Sequence, residues 1–396
     1  MKASDTLRTL LVALLLCFSL ETTSAARELS PASEISLLTC GSGEELYSAF
    51  GHSAFRVKDS IAGFDLVFNY GTFDFNAPGF YTNFVKGKLN YFLSVCDFDD
   101  FMREYEHDER RVEEQTFNLT AEQKQTLFDF LINNSRKENK YYRYDFLFDN
   151  CSSRICSALE ASFGDKLEYG LYYPKERTTF RKLLYECLED MPWSKLGIDL
   201  LLGARLDKVP ESIQYSFLPD YLALILGGGK IEGKPLITRS KTLNPPLVKH
   251  PRRLYPYLPL ILFSIFALIA MICSIWMRMR IFDFVYFLLI GLFACFLVFM
   301  WIGTDHHVTK YNLNLLWALP THALFAFSIL KKSRPRWTAI YFASTAVVSL
   351  LILIFWKILP QQLNISLIPL IALSAARAFA IVKTEFQVTK RLNNVR

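Results

Sequence analysis

The 396-residue chain is 52% hydrophobic with a mean hydropathy of +0.20, more apolar than a soluble protein usually is, which brings in a membrane class at once. Its formal net charge of +6 forms no basic stripe with interleaved aromatics, which argues against nucleic-acid binding. The apolar residues are unevenly placed: residues 27 to about 253 read as a charged, aromatic-rich globular segment long enough to bury a core, and the chain after Leu254 is nearly all hydrocarbon.

Taken in order, residues 1–26 carry a basic start at Lys2 and Arg8, a short apolar run and small residues at Thr23, Ala25 and Ala26, the form of a signal peptide that sends the downstream chain out of the cytoplasm. An uncleaved anchor would leave the next domain, 27–227, on the same side. That domain opens with "GHSAFRV" and "GFDLVFNYGTF", two short runs around the turn "KDSIAG" that predict a strand hairpin. In the second run Phe64, Leu66, Phe68 and Tyr70 share one face, and Asp65, Val67 and Asn69 the other. "YFLSV" from Tyr91 predicts a further strand. Thr120 followed by Gln123 reads as a capping box opening a helix, whose buried side is Leu127, Phe128, Leu131 and Ile132. A second helix is expected after Asp149 and Asn150, both good N-caps, with Ile155, Ala158 and Leu159 at helical spacing, and a third from Phe180. Residues 228–253 are rich in turn formers without a period and read as a linker.

The membrane domain, 254–382, then holds about five spans near the ~20 apolar residues a bilayer needs: 254–276, 282–302, 315–330, 337–359 and 363–382. With the globular domain outside, the inner loops are "RMR", "KKSRPR" and the tail 383–396, all basic, whereas the outer loops carry one Lys and no Arg. The net positive charge is thus largely a topogenic signal. The fold class is α+β followed by an all-α polytopic membrane domain.

Cys151 sits in the first turn of its helix, where unpaired N–H groups and the macrodipole stabilise a thiolate. His52 alone of the six histidines lies in a packed strand of the same domain, and it is the candidate base. Asn69 is the first choice to orient the imidazole, with Tyr70 and Asp74 as alternatives. Asn150 could donate to an oxyanion beside the nucleophile, although its plain role is a cap. Arg56, on the His52 face of its strand, could meet a phosphate or form a structural salt bridge. The outer loop "GTDHHVTKYNLNLL" brings His306 and His307 near the head groups, to hold lipid or to dock the globular domain. Adjacent histidines point apart, so they support a metal site only weakly, and no cofactor is expected. His322, within a span, is a functional candidate by default. The five outer cysteines, Cys40, Cys96, Cys151, Cys156 and Cys187, leave their pairing open, including whether Cys40 joins Cys96.

"LLTCGSGEELYSAFGHSAFRV", "FNYGTFDF", "FYTNFVKGKLNYFL" and "YDFLFDNCSSRI" together resemble the amino-terminal periplasmic domain of the Lnb family, the lipoprotein N-acyltransferases of Bacteroides-type bacteria, in which a multi-span region comes next, as it does here. That family is similar to the circularly permuted papain-like enzymes, in which the histidine strand precedes the cysteine helix. Lecithin:retinol acyltransferase, which lifts an acyl chain from a phospholipid onto cysteine, belongs to the broader group. The resemblance implies a permuted papain-like domain, a Cys151–His52 dyad, a phospholipid acyl donor, a diacylated lipoprotein acceptor and an inner-membrane location facing the periplasm. Rival readings are a cysteine peptidase or amidase acting on cell-wall peptide, a phospholipase or thioesterase, and a membrane scaffold with a merely packed thiol.

Overall fold

The computed structural model describes residues 28–172, 178–246, 255–331 and 335–393. The expected signal peptide, 1–26, lies outside them. Strands β1 (Glu34–Cys40), β2 (His52–Asp59), β3 (Phe64–Thr72), β4 (Asn90–Asp97), β5 (Val112–Phe117), β6 (Tyr141–Arg143) and β10 (Ile237–Asn244) form one seven-stranded sheet in the order β10-β5-β1-β2-β3-β4-β6. Every neighbouring pair is antiparallel. The β2–β3 hairpin has Phe55 opposite Phe68 and Asp59 opposite Phe64. Its turn closes because the Asp59 carboxylate accepts the N–H groups of Ile61 and Ala62 and Gly63 takes a φ of +72°.

The sheet is covered on both faces, so β1 is buried at every residue from Ile35 to Cys40 rather than at alternate ones. Ile35 and Leu37 of β1 pack with Phe55, Phe68 and Tyr70 against helices α3 (Ala121–Ser135) and α4 (Cys151–Phe163). Leu38 and Cys40 face the other way, onto Phe101, Met102 and Tyr105 of α2 (Phe98–His107). Helix α3 starts at Thr120 with both halves of the predicted capping box formed. The short helix α1 (Phe80–Val85) lies in the loop between β3 and β4. Beyond α4 come β7 (Leu167–Glu168), α5 (Phe180–Cys187), α6 (Pro192–Leu201), α7 (Pro219–Gly227), β8 (Lys230–Ile231) and β9 (Lys234–Pro235), with β7, β8 and β9 forming a small second sheet.

Segment 228–253, expected to be a linker, instead supplies β8, β9 and β10, so the outer domain extends to Asn244. Strand β10 is an edge strand, "ITRSKTLN", whose backbone pairs with β5 while most of its side chains stay in water. A strand that buries little side chain carries no apolar period to announce it.

Among the described residues, four helices are long and apolar enough to cross a bilayer: α8 (Leu258–Trp276), α9 (Arg280–Ile302), α11 (Arg336–Ile354) and the 365–384 stretch ending in α12 (Ile368–Asn393). The span expected at 315–330 is not a continuous helix. It comprises a 3-10 turn, Leu313–Leu316, a break at Leu319 and Pro320, and then the eight-residue α10 (His322–Ile329), only about 12 Å long against a ~30 Å hydrocarbon core. Hydropathy counted its apolar residues but not the break. The irregular backbone survives at that depth because protein surrounds it: Asn314, Trp317, Ala318 and His322 are all buried.

The two domains are joined by more than a chain crossing. Leu196 of α6 is buried among Ala294, Trp317, Leu363 and Leu367 of the membrane half. Arg181 of α5, fully buried, donates to Asp199 at 2.8 Å, to Asp207 at 3.0 Å and to the carbonyls of Leu202 and Gly203. The outer membrane loops complete this cluster: Asn364 Nδ2 donates to Asp199 Oδ2 at 2.8 Å, Asn314 to the Asp199 carbonyl, and Asn312 to the Leu200 carbonyl. At Gly203 the backbones approach so closely that a Cβ would lie 2.0 Å from the Lys310 carbonyl oxygen.

Candidate active site

The loop before α4 is tightly folded on itself. Asp145 and Asp149 form an isolated bridge, and the Asp145 carboxylate accepts the N–H groups of Leu147 and Phe148 at 3.0 Å. Asn150 then caps the helix: its Oδ1 accepts from the N–H groups of Ser152 and Ser153, and Ser153 Oγ accepts the Asn150 N–H at 2.8 Å. Its Nδ2 donates to the carbonyls of Phe146 and Phe217. With both ends of the amide engaged, Asn150 is a structural cap and not the free oxyanion donor its position suggested. The N–H of Cys151 itself, at the first helical position, has no acceptor within the helix and is the backbone donor left beside the sulfur.

His52 is the first residue of β2, at the end of the sheet where the N-terminus of α4 arrives. The two elements are tied next to the dyad by a 3.0 Å hydrogen bond between the Ser53 and Ser152 hydroxyls. His52 Nε2 bonds to Asn69 Oδ1; an amide oxygen only accepts, so Nε2 carries a proton and Nδ1 is the nitrogen left for the thiol. Gly71, in the strand beside them, marks how closely the parts converge: a Cβ there would lie 3.5 Å from Cys151 Cβ, 3.8 Å from Tyr144 Cε2 and 3.9 Å from His52 Cε1. Its φ of +89° also disfavours any side chain.

Electrostatics separate this thiol from its neighbours. Burial alone would push Cys151 up, but the His52 charge, a hydrogen bond with His52, the Ser53 N–H and the Ser152 hydroxyl outweigh it, and the net direction is down. For His52 burial pulls downward, and the Cys151 charge together with hydrogen bonds to Cys151 and Asn69 carries the ring above its ordinary value. Both directions favour a thiolate–imidazolium pair. By contrast burial pushes Cys40 up to about 12, Cys187 to about 12 and Cys156, five residues along the same helix, to about 11. Tyr144 faces the same thiol; burial first, and the Cys151 charge second, hold its phenol well above the usual range.

The other expected site residues lie elsewhere. Tyr70 is 2% exposed in the core, and its hydroxyl donates to Asn134 at 2.7 Å rather than to the imidazole. Asp74 is exposed and caps a turn at Asn76. Arg56 shares the His52 face but sits four residues on, about 13 Å along the strand. Its guanidinium is taken up by Asp65 at 2.6 Å and Glu114 at 2.9 Å and lies over the Phe98 ring, which makes it a structural ion pair rather than a phosphate contact. His306 donates from Nε2 to the Phe84 carbonyl at 2.9 Å, and Asp305 N–H to the Lys86 carbonyl, so this loop docks the outer domain. His307 is exposed on the same loop. His322 is buried between Tyr341 Oη and the Trp317 carbonyl, a satisfied packing residue. All seven described cysteines are free thiols. Cys40 and Cys96 stand on β1 and β4, three strand spacings or roughly 14 Å apart, beyond the reach of a disulfide.

Gly71, Ser53, Ser152 and Tyr144 escaped the sequence reading. Gly71 did leave a signal, since a glycine inside an apolar strand marks a close approach. The two serines left none.

No curated protein and no solved structure matches the chain. Two family models do: the Lnb N-terminal periplasmic domain over residues 22–185 and the Lnb transmembrane domain over residues 250–388. The first runs from β1 into α5 and includes Cys151, His52 and Asn69, and the second runs from α8 into α12. These are, in order, the two parts of a membrane-bound lipoprotein-modifying enzyme, and the chain belongs to the Lnb family.

Proposed function

We propose that the protein is a lipoprotein N-acyltransferase that works in two half-reactions through Cys151. The observation that carries the reading is the convergence of a lowered thiol, a raised imidazole and Asn69 at the start of α4, in a domain docked onto membrane loops. In the first half-reaction the Cys151 thiolate attacks the ester carbonyl of a phospholipid. The Cys151 N–H at the helix start stabilises the developing oxyanion. The glycerol oxygen leaves with the proton from His52 Nδ1, which yields a lysophospholipid and an acyl-thioester on Cys151. In the second, the α-amine of a diacylglyceryl-cysteine lipoprotein attacks that thioester. His52 Nδ1 takes the proton from nitrogen, the amide forms, and the sulfur departs as the thiolate, which restores the ion pair. Such a cycle is ping-pong. Asn69 holds the imidazole by Nε2 through both halves, so that Nδ1 keeps facing the sulfur.

Water competes with the amine for the thioester, and the 7% exposure of Cys151 limits that loss. A wall peptidase has no need of docking to membrane loops, whereas a reaction between two lipid-anchored substrates does.

The test is mass spectrometry of a reporter lipoprotein's amino-terminal lipopeptide, from cells without their own N-acylation that carry either the wild type or Cys151→Ala. A third acyl chain present with the wild type and absent with the variant supports the transfer. A reporter left diacylated by both, with both proteins present in the membrane, refutes it and leaves hydrolysis of lipid or wall peptide as the use of the dyad.

A further inference from the structure

A line of aromatic rings leads from the thiol to the membrane loops. Tyr144 faces Cys151 across Gly71. Tyr91 stacks on Tyr144 at 4.4 Å, Phe73 meets Tyr91 at 5.4 Å, Phe80 of α1 meets Phe73 at 5.9 Å, and Phe84 lies parallel to Phe80 at 6.3 Å. Every step is within ordinary ring-to-ring contact. At the far end the Phe84 carbonyl accepts from His306, four residues past Ile302, where α9 ends.

The two ends differ in exposure. Near the thiol the rings are packed, whereas at α1 Phe75 is 60%, Tyr81 77% and Phe84 50% exposed. A soluble domain gains nothing from such a patch, and α1, which buries only Phe80, contributes little to the core. Aromatic residues at the level where a span leaves the bilayer are what a head-group layer accommodates, and the exposed Lys86 and Lys88 beside them suit lipid phosphates.

We propose that the loop from Phe73 to Tyr91 is an acyl-chain guide: α1 lies in the outer head-group layer, and the ring line takes one fatty chain of a phospholipid from the bilayer toward Cys151. The thiol end of this proposal rests on the acyl-transfer reading; the membrane end does not. Two measurements on the full-length protein in nanodiscs therefore separate them. In the first, Cys151→Ala protein is photolabelled with a phosphatidylethanolamine bearing a diazirine on its acyl chain, and the adducts are mapped by mass spectrometry. Adducts on residues 73–91 are expected; adducts confined to the membrane helices overturn the guide. In the second, Phe75→Ser, Tyr81→Ser and Phe84→Ser are combined on the active chain. Acyl-enzyme formation from the bilayer phospholipid is expected to fall at least ~10-fold, by the burial lost with three rings, while alkylation of Cys151 by water-soluble iodoacetamide keeps its wild-type rate. An unchanged acylation rate overturns the guide. A wild type that takes no acyl group from phospholipid, with the Cys151→Ala protein still labelled at 73–91, refutes the acyl transfer and supports the loop as a lipid contact.

Discussion

Replacing Asn69 by Ala tests how the dyad is charged. In the imidazolium form His52 donates from Nε2 to Asn69 Oδ1, and both groups lie in a largely buried setting. A hydrogen bond to a charged group contributes roughly 1.5–3 kcal/mol, and the neutral pair draws less from the same contact. Losing it lowers the ion-pair population by about 10–100-fold, since about 1.4 kcal/mol is a factor of ten. The sign comes from the raised His52 and the lowered Cys151: without Asn69 the ring releases its proton more readily, and the thiol holds its own up to higher pH. The assay is the rate of iodoacetamide alkylation against pH, read as the modified peptide that contains Cys151. The variant is expected to react 10–100-fold more slowly from acidic to neutral pH, by that estimate, and to match the wild type above about pH 9, where an ordinary thiol is ionised. His52→Ala loses at least as much over the same range. Superimposable profiles for Asn69→Ala and the wild type refute the role given to Asn69.

Three further substitutions separate the site from its frame. Gly71→Ala places a Cβ 3.5 Å from that of Cys151 at a φ of +89°; acyl-enzyme formation is expected to fall at least ~10-fold with unchanged far-UV circular dichroism, and full activity argues against so close an approach. Arg56→Met leaves Asp65 without its cation and Glu114 with Lys241 alone, at 3.0 Å, and is expected to destabilise the domain by about 1–3 kcal/mol in denaturant unfolding, with the Cys151 alkylation profile intact under native conditions. A loss of phospholipid affinity without loss of stability would return Arg56 to a phosphate-binding role. Gly203→Val drives a side chain into the Lys310 carbonyl; it should speed proteolytic release of the outer domain and abolish transfer while Cys151 remains reactive, and a variant with wild-type transfer shows that docking is dispensable.

What could be read from the sequence depended on whether a residue's role shows in its local pattern. The β2–β3 hairpin, the Thr120 capping box and the start of α4 are written in adjacent residues, and each forms where the pattern placed it. The pairing of His52 with Asn69 rests on strand alternation, which fixes the face of each, and on the turn, which fixes the register. Arg56 shows the limit of the same rule. Alternation puts it on the His52 face, but its partners Glu114 and Asp65 come from β5 and β3, and long-range pairing leaves no trace in a local window. Asn150 is similar: one donor target, the Phe217 carbonyl, comes from 67 residues away. Strand β10 and the break within 313–329 escaped the local pattern for opposite reasons, one burying too few side chains to show a period and the other having the composition of an unbroken helix without its continuity.

The junction between the domains bears on substrate choice. Arg181 and Asp199 have no exposed side-chain surface, and Asn364 of an outer membrane loop completes the Asp199 carboxylate. Swinging the outer domain away would strip Asn364 from the Asp199 carboxylate while Arg181 and Tyr185 travel with it, a loss of roughly 1.5–3 kcal/mol that limits an undocked form to about one molecule in 10–10². The second tether, His306 and Asp305 on the α1 loop, lies on the side from which the aromatic line enters the site. Two attachments at separate points remove rotation as well as displacement, so Cys151 is held at one height over the bilayer. On the proposed reaction this makes reach a criterion of selection: an ester at the top of a phospholipid and an amine carried on a lipid anchor both come to that height, while a soluble amine gains no such advantage and must rely on concentration alone.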